Sequence, residues 1–324
     1  RPRSVAPMRD RTDRHFRLLV RRITRHTLLY TPMLTPKAVI FGDREKLLGF
    51  YPEEKPLSLQ LGGDDPEELA EAGRIAADLD FDEINLNIGC PSTRVQAGSF
   101  GASLMARPGR VAEAVEALRS AVDLPITVKS RIGIEGRERY EDLLDFVDTV
   151  AGAGCDRFTV HARIAILKGL DPKQNRSIPP LRYHDVHRLK EERPDLLIEI
   201  NGGILNLDQV AEQLERVDAV MLGRAAYEHP ELFANADRRF FSDAEPGLTG
   251  AELVRSLYPH VEWWLSRGGR LHDVSRHLLN LFAGRPGARH WRRVISVGSP
   301  RPGSGIEVLE DALRALPGEV ATAS

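Results

Sequence analysis

The sequence predicts a (β/α)8 barrel followed by a small all-helical domain. Three observations lead there. Short apolar segments alternate with helix-like ones along residues 1–242. A polar, glycine or otherwise unusual residue closes every apolar segment but the second. After residues 241–250, which read as a Pro-, Gly-, Asp- and Ser-containing linker, the strand pattern stops and only helical periodicity remains.

Strands are expected at 4–6, 28–30, 57–61, 83–87, 126–129, 157–160, 197–201 and 219–222. They are short and apolar, as parallel strands buried on both faces should be. A helix at 66–79 follows Asp64 and Asp65, which supply caps. A second, at 108–121, carries Pro108 near its first turn, and a third, at 140–153, ends at Gly154. An open doubly wound sheet is the runner-up, but no Gly-x-Gly-x-x-Gly follows the first strand. Helices are expected at 252–266, 272–282 and 305–316, giving a barrel domain over 1–242 and a helical domain over 247–324, with 317–324 frayed.

A hydrophobic fraction of 42% and a charged fraction of 28% fit a soluble globular protein of 324 residues. The net charge of -2 gives no sign of nucleic acid, so any RNA site must be a local patch. Cys90 and Cys155 stand too far apart for a zinc pattern or a disulfide framework, which fits a reducing cytosol without a metal. Residues 1–14 lack an apolar signal core and no run of 18 apolar residues exists, so a cytoplasmic location and no membrane are expected. The chain begins at Arg1 without Met, so residues are expected to precede it, and a monomer is expected.

In a barrel the C-terminal strand ends face the active site. Here they supply Pro7 and Met8, Gln60, Asn85 and Asn87, Cys90, Lys129, Arg131, His161, Asn201 with Gly202 and Gly203, and Gly223 with Arg224. Barrels commonly bind phosphate at the last two of these loops, with glycine exposing backbone N–H groups and Arg224 adding charge. The plain alternative is a pair of turn glycines. A phosphate handle beside polar strand ends suits flavin mononucleotide, FMN. Gln60 and Lys129 would meet its pyrimidine edge, and Pro7 and Met8 would pack on its ring. Taken singly, Met8 reads equally as core, and Lys129 as a structural or Schiff-base lysine. His161 alone would be a core histidine; its slot favours a flavin or phosphate contact. Cys90 lies between Gly89 and Pro91 just past a strand end, placed for exposure. It is either an inert thiol or a general acid, since a thiol of pKa ~8.5 holds its proton at neutral pH. Cys155, at a helix end without polar company, reads as structural.

The run Asn85-Leu86-Asn87-Ile88-Gly89-Cys90-Pro91-Ser92, with Val128-Lys129-Ser130-Arg131-Ile132-Gly133, resembles the tRNA-dihydrouridine synthase family, in its bacterial A-type branch. The likeness runs from Val5-Ala6-Pro7-Met8 to Trp291-Arg292-Arg293. It implies an oxidoreductase in which NADPH reduces FMN, hydride passes to C6 of a D-loop uridine in tRNA, and Cys90 protonates C5. It implies uridine 20 or 20a as the target and Asn87 as a partner of the base. Arg131 would hold base or flavin. Two positions depart from the branch. Pro32 replaces a usual Glu in Thr31-Pro32-Met33, which puts a substrate contact in doubt, and Ser103 replaces a second, non-catalytic Cys.

Two stretches carry basic charge. Residues 162–180 form a long loop with Lys168, Lys173 and Arg176, which the resemblance makes a grip on tRNA near the flipped base. Between Asp273 and Glu307 there is no acid, but Arg276, Arg285, Arg289, Arg292, Arg293 and Arg301 occur with Phe282, His290 and Trp291 among them. Arginines with aromatic neighbours suit phosphate contact and base stacking. Taken alone, a solvated face with the aromatics as core is the equal alternative; the resemblance makes 247–324 a tRNA-binding domain, with Arg285, Arg289, Arg292 and Arg293 on the RNA. Two other functions compete: a small-molecule FMN-dependent oxidoreductase of the dihydropyrimidine or dihydroorotate type, and an RNA-binding barrel without catalysis.

Overall fold

In the computed structural model, residues 3–316 are described except 94, 96, 97, 99, 244 and 315. The expected frayed end, 317–324, lies outside the described residues. Eight parallel strands form: β1 Arg3–Val5, β2 Leu29–Tyr30, β3 Leu57–Leu61, β4 Glu83–Ile88, β5 Ile126–Arg131, β6 Arg157–His161, β7 Ile198–Asn201 and β8 Ala219–Leu222. Each falls within two residues of its expected place. β1 pairs with β8, and a parallel bridge from Ser4 to Leu28 brings β1 back to β2. The sheet is therefore closed as a barrel, and the open doubly wound sheet is excluded.

The strands are buried on both faces but are not apolar throughout. From β3 to β7 the side chains alternate with the pleat. Leu57, Leu59 and Leu61, Ile84, Leu86 and Ile88, Ile126 and Val128, and Phe158 and Val160 take one face. Ser58 and Gln60, Glu83, Asn85 and Asn87, Thr127, Lys129 and Arg131, Thr159 and His161, and Glu199 and Asn201 take the other. That second face is the barrel interior: the hydroxyl of Tyr30 on β2 accepts from Arg157 on β6 at 2.9 Å, although these strands are not neighbours. A parallel strand without alternation would have buried these groups against helices with no partners.

The expected helices at 66–79, 108–121 and 140–153 appear as Pro66–Asp78, Pro108–Ala121 and Tyr140–Gly152. Asp65 caps the first, accepting from the N–H groups of Glu67 and Glu68 at 3.0 Å. The tail is less regular than expected. The helix at 252–266 is two, Gly250–Arg255 and Tyr258–Ser266. Pro259 has no N–H to donate and is tolerated only in a first turn, so a helix begins there instead of passing through. The helix at 272–282 is only Leu271–Ser275. Beyond it the chain tightens into i+3 turns, as His277 N–H to Val274 O and Leu278 N–H to Ser275 O. An unexpected helix, Ala288–Gly298, buries Ala288, Trp291 and Ile295 along one stripe.

The compact units do not divide at 242–247. One comprises 1–10 and 27–223, and the other comprises 11–26 and 224–324. The helix after β1, Arg14–Ile23, thus groups with the C-terminal helices. Within that unit Asp13 caps it through Phe16 N–H at 3.1 Å and also meets His277. No helix among the described residues is long and apolar enough to cross a membrane.

Candidate active site

Parallel register brings the polar strand ends side by side: Gln60 with Asn85, Asn87 with Lys129, Arg131 with His161, and His161 with Asn201. The two asparagines of β4, alike in sequence, do different work. Asn85 is fully buried and bonds Gln60 Nε2 at 2.8 Å and Thr127 Oγ1 at 2.9 Å. Asn87 is part-exposed and folds the next loop, its Oδ1 accepting from Gly89 N–H at 3.1 Å and Cys90 N–H at 2.9 Å. Local side-chain acceptance of this kind shapes a turn.

That turn presents Cys90, half-buried, with Sγ 3.5 Å from Ser92 Oγ. The Cys90 carbonyl accepts from Ala102 N–H at 3.0 Å. Gly101 has φ 73°, and a Cβ there would stand 2.6 Å from that carbonyl, so glycine is required. Arg131 holds the loop from the other side: Nε donates to Gly89 O at 3.2 Å and Nη1 to Asn175 O at 3.0 Å. Its guanidinium is buried, and burial lowers its pKa to about 10 despite the Cys90 thiol nearby. Arg131 therefore shapes the site through backbone carbonyls. Cys155 is the contrast. It is buried, its Sγ lies 3.3 Å from Arg157 O, and burial lifts its thiol to about 12.

Lys129 donates to Asn201 Oδ1 at 3.2 Å, and Asn201 Nδ2 donates to Met221 O at 2.8 Å. Burial, then the charge of Arg131, lowers Lys129 to about 8, which leaves an ammonium at neutral pH. His161 is buried, and burial with the neighbouring Arg131 and Lys129 charges holds it well below its ordinary pKa, so it is neutral. Its Nδ1 is buried without a hydrogen-bond partner. Beside it Gly202 and Gly203 both have positive φ, 115° and 72°. A Cβ at Gly202 would come within 3.2 Å of His161 Nε2, and one at Gly203 within 2.6 Å of Leu181. Around Gly223 the space is open: a Cβ would meet only Ala6, at 3.9 Å. Arg224 is exposed and opens the helix Arg224–Glu228. Pro7 and Met8, past the end of β1, are half-buried. Gln60 is buried with both amide atoms engaged, leaving a second hydrogen on Nε2 for a ligand.

The loop 162–180 is tied from inside. Asn175, fully buried, donates to Ile166 O at 2.9 Å and Leu170 O at 3.2 Å and accepts from Ile166 N–H at 2.8 Å. Lys168, Lys173 and Arg176 are exposed on it. Pro32 falls between two backbone bonds to β3, Thr31 N–H to Ser58 O and Leu34 N–H to Gln60 O, and interrupts neither. Ser103 Oγ bonds Phe100 O at 3.1 Å.

In the helical unit, the stacking role open to Phe282 and Trp291 is overturned. Both are buried, edge to face at 4.7 Å, and Trp291 Nε1 donates to Leu278 O. Arg285 pairs with Glu231 at 2.8 Å. Arg289, Arg292 and Arg293 are exposed at i, i+3 and i+4 of Ala288–Gly298, Arg289 and Arg293 away from its buried stripe and Arg292 at the stripe's edge, without an ion pair among the described residues. Sequence reading missed Glu83, Thr127 and Asn175. The first two were findable as the inward partners, two residues away, of Asn85 and Lys129.

A profile of the dihydrouridine synthases matches residues 4–316. The chain belongs to that family. A Synechocystis tRNA-dihydrouridine(20/20a) synthase is 57% identical over 97% of this chain and 94% of its own. Enzymes of the same name from Vibrio parahaemolyticus, over 98% and 97%, and Escherichia coli K12, over 96% and 90%, are 49% and 48% identical. Among solved structures, a 2-naphthoyl-CoA reductase complex shares the fold at TM-score 0.52, with 11% identity over 76% of this chain and 51% of its own.

Proposed function

We propose that this protein reduces the C5–C6 bond of a D-loop uridine in tRNA, at position 20 or 20a, to 5,6-dihydrouridine in the cytoplasm, with FMN as resident cofactor and NADPH as reductant. The observation that carries the reading is the half-exposed Cys90 thiol, held by Asn87 at a barrel end that also offers Lys129 and His161. The residues fit FMN. The orphaned Nδ1 of His161 needs a ligand partner, Gly202 and Gly203 turn the backbone tightly beside it, and the Lys129 ammonium can face an electron-rich pyrimidine edge. Gly223 and Arg224 complete the phosphate side, Pro7 and Met8 the ring face, and Gln60 the pyrimidine edge. When bound, FMN supplies the hydride that goes to C6.

The chain supplies the rest. Cys90 Sγ delivers its proton to C5, a positioned-acid contribution of roughly 10²–10⁴-fold. Asn87 fixes the loop and faces the base. Arg131 braces Gly89, one residue before the thiol, against the loop that displays Lys168 and Arg176. Those two side chains, with Arg289, Arg292 and Arg293, hold phosphates while the uridine leaves its stack, at a cost of a few kcal/mol. Arg285 contributes less, since Glu231 already pairs with it. The test is to reduce the protein with NADPH without oxygen and add unmodified tRNA. Return of the oxidised flavin band with tRNA, but not with free uridine or orotate, is expected. A flavoprotein indifferent to tRNA would favour the small-molecule reductase, and failure to take up FMN would remove the reading of the glycine loops.

A further inference from the structure

We infer that Glu83 and Thr127, on the barrel floor, are positioning residues that anchor the acceptor end of a hydrogen-bond chain running to the backbone amide of Cys90. Glu83 is buried and meets Arg157 Nη2 at 2.7 Å, so its carboxylate has only acceptors to offer. Tyr30 Oη and Ser58 Oγ donate to it at 3.0 Å, and Thr127 Oγ1 donates at 2.9 Å. The competing acceptor for Thr127, Ile84 O, is at 3.5 Å. Thr127 has one hydroxyl hydrogen, and Glu83 takes it. Its oxygen is left to accept from Asn85 Nδ2 at 2.9 Å.

Every amide above then has one allowed orientation. Asn85 turns Oδ1 to Gln60 Nε2 at 2.8 Å. Gln60 turns Oε1 to Asn87 Nδ2 at 2.9 Å. Asn87 is left with Oδ1 toward Gly89 N–H at 3.1 Å and Cys90 N–H at 2.9 Å. An amide turned over anywhere would set donor against donor, and a buried donor left unmade costs more than a bond gains. The two backbone N–H groups at the top of the chain and the anionic floor at its base thus demand the same direction, and Glu83 with Thr127 anchors the base from which Asn87 Oδ1 is presented to the catalytic loop. None of these bonds touches the reacting atoms; the chain acts through the placement of Cys90.

The consequence for catalysis rests on Cys90 as proton donor, but the chain itself can be read without activity. The protein has two cysteines, so labelling cysteine alone with ¹⁵N gives two backbone amide signals. In Thr127→Val the Cys90 signal should move or double, while the Cys155 signal reports an intact barrel. Thr127→Ser should return it. Glu83 keeps three other donors in Thr127→Val, so folding is expected. Glu83→Gln is the second variant: its amide can donate to Thr127 Oγ1 and turn the hydroxyl hydrogen toward Asn85 Nδ2, which leaves one link of the chain unmade while the Gly89 and Cys90 N–H groups still hold its other end, so the Cys90 signal should move. Dihydrouridine formation should fall on the order of tenfold in kcat for Thr127→Val, with KM for tRNA unchanged, as for a slightly misplaced reacting group. A folded Thr127→Val or Glu83→Gln protein whose Cys90 signal stays single and unmoved overturns the inference. A moved signal with full product formation would overturn the positioning role, while the proton-donor role of Cys90 would still stand or fall with Cys90→Ala.

Discussion

The barrel interior and the helix Ala288–Gly298 both carry strong charge, but by opposite means. Inside the barrel Glu83, Glu199, Arg157, Lys129 and Arg131 are surrounded by named partners, and Asn85, Asn87 and Gln60 have their amides committed. On the helix Arg289, Arg292 and Arg293 face solvent with no ion pair among the described residues. A buried charge needs its geometry satisfied. An exposed one does not. Arg289 and Arg293, at i and i+4, pay a repulsion of about 0.2–0.5 kcal/mol that only an anionic partner would reverse. The barrel is thus built for precise placement and the helix for an anion whose exact position matters little. Substitutions should separate the two by kinetic signature.

The largest effect belongs to the barrel. Cys90→Ala should lower dihydrouridine formation by roughly 10²–10⁴-fold, the scale of a positioned general acid. NADPH oxidation and tRNA affinity should hold, because the thiol neither donates the hydride nor binds phosphate. Stopped-flow flavin absorbance with product analysis reads both halves. Product at the normal rate would erase the contrast by showing that the buried geometry does not serve this thiol.

The helix should answer differently. Changing Arg289, Arg292 and Arg293 together to Ala should raise KM for tRNA about tenfold or more at moderate salt and leave kcat alone. The slope of log K against log salt should shrink by about 3 if each arginine meets one phosphate. Fluorescence anisotropy with labelled tRNA over a salt series measures it. A reduced kcat with an unchanged slope would mean that this helix acts on the chemistry instead.

The same contrast explains what was legible in the sequence. Strand ends facing a barrel mouth are fixed by topology, so Cys90, Lys129, His161 and the Gly202–Gly203 turn could be placed from spacing alone. The two-residue alternation that carries Glu83, Thr127 and Glu199 inward was just as visible, but short segments rich in Ile, Leu and Val read as uniformly apolar and hid it. Asn85 and Asn87 could not be told apart because their difference is depth in the barrel, which one strand does not reveal. Phe282 and Trp291 misled for a related reason: an aromatic among arginines looks exposed until the helical stripe through Ala288, Trp291 and Ile295 is counted. The grouping of residues 11–26 with helices more than two hundred residues away rests on long-range contacts that no local pattern announces.

The smallest effect concerns buried charge within the helical unit, and it tests whether partners alone make burial safe. His15 Nδ1 lies 2.8 Å from His260 Nε2, and Trp264 packs edge-on against His15 at 4.7 Å. Burial lowers His15 to about 3 and His260 to about 4, from 6.5. Below pH 6.5 the unfolded chain takes up protons that the folded unit refuses, so stability is complete above that pH and falls as pH drops toward 4. Each proton costs up to about 1.4 kcal/mol per pH unit. Asp13, held below the ordinary carboxylate range by His277 against the opposing effect of burial, adds its loss only at stronger acid. Trp263, Trp264 and Trp291 are the only tryptophans and all lie in this unit, so tryptophan fluorescence follows it selectively. The thermal midpoint should drop on going from neutral pH to about pH 5, by about 4 °C for each kcal/mol lost. His15→Gln, which cannot take a proton, should remove about half of that slope by the same linkage. A midpoint independent of pH over this range would show that the histidine pair is not buried as a neutral pair, and that the helical unit holds charge within without the partners the barrel supplies.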